Sequence, residues 1–105
     1  MTQALQLYRD LGDRHGQAEA AINLGELRSL SSAHHNGRGY YAQALSIARD
    51  INAPDQEARA LEGIGRSHIQ EGSPGQGAVY LQQALAIYRR IGAPEAQRVE
   101  TILHS

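Results

Sequence analysis

The segment Gln3-Ala4-Leu5-Gln6-Leu7-Tyr8-Arg9-Asp10-Leu11 returns as Gln43-Ala44-Leu45-Ser46-Ile47-Ala48-Arg49-Asp50-Ile51 and again as Gln83-Ala84-Leu85-Ala86-Ile87-Tyr88-Arg89-Arg90-Ile91, a spacing of 40 residues. A second pair of segments, Ala18 to Gly25 and Ala58 to Gly65, echoes at the same spacing. Self-similarity at a fixed period of this size marks one supersecondary unit copied in series, each copy burying its apolar face against its neighbours. Most single-core folds are thereby excluded.

Spacing inside the copies decides what the unit is. Apolar residues fall at i, i+3, i+4 and i+7 in Ala4, Leu7, Tyr8 and Leu11, then Ala44, Ile47, Ala48 and Ile51, then Ala84, Ile87, Tyr88 and Ile91. That is a helical stripe, and no segment alternates apolar and polar long enough for a strand. The fold expected is therefore all-α, with about six antiparallel helices over 2 to 11, 15 to 30, 37 to 51, 55 to 70, 75 to 91 and 94 to 103. As one domain over 1–105, this gives an orphan second-type helix in 1–12, a first helix pair in 15–51, a second in 55–91 and a terminal capping helix in 94–105. Gly72 suits a left-handed helix stop, Ser73 a cap, and Pro94 a first-turn position whose missing N–H costs nothing. The connector over 31–38 has no glycine at the stop position, leaving open whether it is a turn or a helix extension.

Composition narrows the chemistry. The chain has 105 residues with no Phe, Trp or Cys, so Leu, Ile, Ala and five Tyr must fill the core by close helix packing. No disulfide or thiolate metal site can form, which fits a reducing, cytoplasmic setting. A net charge of −1, with all ten basic residues Arg and dispersed, lacks the concentrated positive surface that nucleic acid or an anionic membrane requires. No apolar run approaches the roughly 18 residues of a membrane span. His34 and His35 are adjacent and point about 100° apart on a helix, a poor geometry for a shared metal, so neither metal nor cofactor is expected. Gly63-Ile64-Gly65 lies inside a helical pattern rather than after a strand, and no nucleophile-turn context surrounds any Ser, so the chain is read as non-enzymatic.

Two helices per unit with small residues at fixed places resembles the tetratricopeptide repeat. The residues that carry the likeness are Ala21, Leu24 and Gly25, then Leu61, Ile64 and Gly65, in the first helices. In the second helices they are Gly37, Tyr41 and Ala44, then Gly77, Leu81 and Ala84. The resemblance covers nearly the whole chain and implies a right-handed superhelix. The aromatic usual late in the first helix is replaced by Arg28 or His68, and Gly where the family has Ala implies looser packing. The 40-residue length and strings such as GDRHGQAEAAINLGEL and ALAIYRRIGAPEAQRV look like C-terminal arrays of large bacterial transcriptional regulators and signalling ATPases, which implies a fragment of such a protein.

In that family the first helices line a concave groove that binds a peptide or helix, so the resemblance places a partner-binding surface on Glu19, Ile22, Asn23 and Glu26 of one unit. Arg59, Glu62, Arg66 and Ile69 follow in the next, with Ser29, Gly63, Gln97 and Glu100 beside them. Arg59 and Arg66 either hold an acidic peptide through charge-assisted hydrogen bonds or pair with Glu19, Glu26 and Glu62 as solvated ion pairs. A second reading is self-association into a homodimer through exposed repeat ends, carried by Leu5, Leu7, Tyr8 and Leu11 of the orphan helix. A third, a small molecule bound between helices, has no motif behind it.

Overall fold

The computed structural model describes residues 13–30 and 34–104, with 34–36 described through their backbone. Every regular element among them is an α-helix: α1 (Arg14–Leu30), α2 (His34–Asp50), α3 (Pro54–Gln70), α4 (Pro74–Ile91) and α5 (Glu95–Leu103). Five helices stand where about six were expected, and the one assigned to 2–11 lies outside the described residues. The second helix begins at His34, three positions before the expected start at Gly37. Much of the doubtful connector is therefore helix.

Three of the turns are copies of one another. Asn52, Gly72 and Gly92 adopt left-handed backbone with φ of 55°, 87° and 70°. The next N–H in each case returns to a carbonyl five residues back: Ala53 to Ala48 at 2.9 Å, Ser73 to His68 at 2.7 Å and Ala93 to Tyr88 at 2.8 Å. This is the Schellman closure, which satisfies the orphan carbonyls of a helix end. A proline follows at once in every case, and Pro54 and Pro74 open the next helix where the absent N–H has no partner to lose. Ser73 stands at the capping position of α4 but its side chain makes no capping bond; its carbonyl accepts the ordinary first-turn bond from the Gly77 N–H.

Such short turns fold each helix back on its predecessor. Gly37, early in α2, meets Gly25 and Ser29, late in α1, and Gly77 of α4 meets Gly65 and Ile69 of α3 in the same way. Looser packing at these glycines was expected, and the opposite holds. A Cβ placed on Gly77 would lie 2.6 Å from the Gly65 carbonyl oxygen, and one on Gly37 would lie 3.0 Å from that of Gly25. The backbones cross where a methyl group has no room at Gly77 and little at Gly37, so the helix-propensity loss of Gly is offset by contact between the chains of atoms themselves.

Two apolar clusters result, and they share members. One gathers Ala21, Ile22, Leu24, Tyr41, Ala44 and Ile64, the other Leu61, Leu81, Leu85, Tyr88 and Val99, while Leu45 and Tyr80 pack against both. The Tyr41 ring fills the space over Gly25 of α1 and also over Gly63 of α3, where an added methyl would overlap it. At the far edge the His68 ring stacks on Tyr80, centroids 5.5 Å apart and 15° from parallel, so an imidazole takes the place of the missing aromatic. The molecule measures 42 × 31 × 18 Å, the least dimension matching two layers of helices.

Candidate functional site

Because α2 and α4 lie behind, α1, α3 and α5 sit side by side on one face. The first two run in the same direction: Gln56 of α3 donates to the His15 carbonyl at 3.1 Å, and Arg59 Nη1 donates to both carboxylate oxygens of Glu19 at 3.0 and 2.9 Å. Arg59 also stands 3.8 Å from Glu26. Burial works against its charge, yet the hydrogen bond and charge of Glu19, together with Glu26, raise its pKa above the ordinary arginine value. A unit is thus tied to the next through residues one period apart.

Farther along α3, Glu62 is a buried carboxylate held by three donors. Arg98 of α5 makes a two-bond fork, Nε to Oε2 at 2.8 Å and Nη2 to Oε1 at 2.6 Å, and the Tyr88 hydroxyl donates to Oε1 at 2.9 Å. Arg66, one turn along α3, adds a longer contact to Oε2 at 3.4 Å. A carboxylate out of water needs its lone pairs filled, and this one has them filled. The consequence reaches its neighbours: burial and then the Glu62 charge push the Tyr88 phenol far above its usual range, and the hydrogen bond to Glu62 raises Arg98. The short α5 is fixed in place by this fork, by Val99 in the core and by an ion pair from Arg89 of α4 to Glu100.

Between these helices lies a cleft of about 390 Å³. Glu26, Ser29 and Leu30 line it from α1, Tyr41 from α2, Arg59, Glu62, Gly63, Arg66 and Gln70 from α3, and Arg98 from α5. Burial raises the Tyr41 phenol pKa, against a hydrogen bond with Ser29 that lowers it.

Of the residues expected to line a groove, Glu26, Arg59, Glu62 and Arg66 do converge, with Ser29 and Gly63 beside them. Ile22 does not: at 1 % exposure it belongs to the core, in the cluster with Tyr41, Ala44 and Ile64. Asn23 is exposed but outside the cleft, and Glu19 stands at its edge as the partner of Arg59. Ile69 packs instead against Gly77, on the side facing α4. Gln97 and Glu100 line a separate depression with Thr101 and His104, so Arg98 occupies the place assigned to them. The turn before α5 copies the one before α3, but the first bonds of α5 run from the Ala96 and Gln97 N–H groups to carbonyls three residues back, so the faces of that helix do not follow by translation along the repeat. Sequence reasoning also missed Tyr41, whose spacing marks it as core, and Leu30. Leu5, Leu7, Tyr8 and Leu11 lie outside the described residues.

No protein-family model matches the chain, and no curated protein is found as a relative. Among the described residues no three metal-ligating side chains converge, and no helix is long and apolar enough to cross a membrane.

Proposed function

We propose that the chain is a non-catalytic protein-interaction scaffold of tetratricopeptide type, a right-handed stack of helix pairs that receives a peptide or helix in the cleft between α1, α3 and α5. The observation that carries this reading is the division of labour along the period. Residues that recur 40 positions apart, Gly25 and Gly65, Gly37 and Gly77, Ala44 and Ala84, are buried in packing, whereas cleft residues change between copies, Glu26 to Arg66 and Leu30 to Gln70. A surface whose scaffold repeats and whose face varies suits recognition of one particular chain. The partner is a protein or peptide rather than nucleic acid or membrane, and the setting that fits is the cytoplasm, as part of a larger bacterial regulatory protein. Pull-down against candidate full-length regulators, or fluorescence anisotropy with peptides derived from them, tests it. Arg59→Glu with Arg66→Glu abolishes capture, and an interaction set untouched by that pair removes the cleft from consideration.

A second reading, self-association, rests on Leu27. It is 46 % exposed on α1, while Ser67 at the matching place on α3 is 1 % exposed. A helix face buried in one unit and open in the other invites a second copy. Light scattering across concentration tests this: Leu27→Glu lowers any dimer fraction, and a strict monomer at high concentration ends the reading.

A further inference from the structure

The cleft is electrically graded from one helix to the next. Its α1 edge carries Glu19 and Glu26, its α3 wall Arg59 and Arg66 over the buried Glu62, and its α5 edge Arg98. Two of the three guanidiniums are committed. Arg59 is shared between Glu19 and Glu26, and Arg98 closes its fork on Glu62.

Arg66 differs from both. Its side chain is 52 % exposed, and its contact is the 3.4 Å approach to a Glu62 oxygen that Arg98 already holds at 2.8 Å. A guanidinium offers five N–H donors in a planar fork matched to a carboxylate. Arg66 is one of the residues that line the cleft. Nearby, Leu30 is 85 % exposed, an aliphatic side chain in a cleft otherwise walled by polar groups and the edge of Tyr41. Glu26, with a side chain 58 % exposed, holds on α1 the position that Arg66 holds on α3. A run of negative charge crossing both helices is repelled there, and a single carboxylate is not.

We propose, resting on the reading of this cleft as a peptide site, that its ligand is an extended peptide pairing one acidic side chain, taken in a fork by Arg66, with an apolar side chain that covers Leu30. The acidic group displaces the weak approach of Arg66 to Glu62 and leaves the Arg98 fork intact. Polyanions, including a phosphodiester backbone, meet Glu26 and bind less well.

The test uses fluorescein-labelled peptides carrying one Glu and one Leu at increasing separations, titrated with the whole chain and followed by anisotropy. For the best spacing, replacing the peptide Glu by Gln weakens binding about tenfold or more, the range of a charge-assisted hydrogen-bonded pair. Arg66→Gln in the protein costs the Glu peptide about the same factor and leaves the Gln peptide unchanged, and Leu30→Ser weakens both peptides. If the peptides bind and respond to Leu30→Ser while Arg66→Gln changes nothing, the acidic assignment falls and the cleft stands. If no peptide of the set binds, both fall. Arg66 is exposed, so circular dichroism of Arg66→Gln retains the helical spectrum. Should it not, Arg66→Lys keeps the charge and loses the fork, and an unchanged Glu/Gln ratio in that variant overturns the assignment.

Discussion

The two helix pairs share a skeleton and differ in what fills it. In the first pair the crossing of Gly25 and Gly37 leaves 3.0 Å for an added Cβ, and the space above is filled by Tyr41, which reaches on to Gly63 of the next unit. In the second pair the crossing of Gly65 and Gly77 leaves 2.6 Å, and the space is filled by Leu81, wholly buried. The tighter crossing takes the smaller side chain. The looser one takes a ring with a hydroxyl, and only that pair contributes its second helix to the cleft. Packing and recognition therefore trade against each other within one repeated design: where the helices close completely nothing reaches the surface, and where they close less a polar tip does.

This contrast can be broken most severely at Leu81. Leu81→Ala truncates a wholly buried side chain of the tight pair, leaving a cavity over Gly65 in the second apolar cluster, and is expected to cost about 3 kcal/mol, or on the order of 15 °C in melting temperature. A smaller loss would show that the second pair can collapse. Next come the crossing glycines. Gly77→Ala forces α4 off α3 and costs about 1 to 2 kcal/mol, overpacking minus the gain in helix propensity, whereas Gly37→Ala is close to neutral because the two terms nearly cancel. Denaturant melts of both variants measure the difference, and equal losses would erase the distinction between the pairs.

A pH experiment separates them again through their tyrosines. Both Tyr88 and Tyr41 have raised phenol pKa values, each mainly through burial, with the Glu62 charge the second cause at Tyr88. A folded-state value above the unfolded one means that the protonated phenol is the form the fold favours. That contribution is complete below about pH 10, the ordinary tyrosine value, and is lost as pH rises past it. Stability measured by denaturant melts accordingly falls above about pH 10, and Tyr88→Phe makes the fall shallower. The smallest effect belongs to the exposed pair Arg14 and Asp50, which joins α1 to α2 at 3.2 Å. Arg14→Ala changes stability by less than about 0.5 kcal/mol, and by less still in high salt.

Much of the fold was legible because a period of 40 and a stripe of helical spacing need no tertiary information. Helix starts at Pro54 and Pro74 and stops at Gly72 followed from backbone chemistry within a few residues. The candidate site was legible only where it shares that register. Glu26, Arg59, Glu62 and Arg66 were placed by translation from unit to unit. Ile22 is the translate of Glu62 and both are buried: an apolar side chain at that place joins the core, whereas a carboxylate there gathers Tyr88, Arg66 and Arg98 around it. Arg98 was missed because α5 opens on tighter bonds, three residues back, which nothing in the repeat announces. Tyr41 was hidden by its own size: an aromatic at an apolar position reads as core, and nothing local announces that two glycines, 38 residues apart in the chain, will make room for its ring.

That ring has a consequence for how the molecule comes apart. Tyr41 belongs to the second helix of one unit but rests on a glycine of each unit, so neither pair can open without uncovering the same side chain. In a one-dimensional stack the free energy of such a residue is counted in the interface between units rather than in either unit alone. Leu45 and Tyr80 pack against both clusters as well, so the two pairs are joined by apolar contact across their boundary. The array then melts as one body instead of one rung at a time.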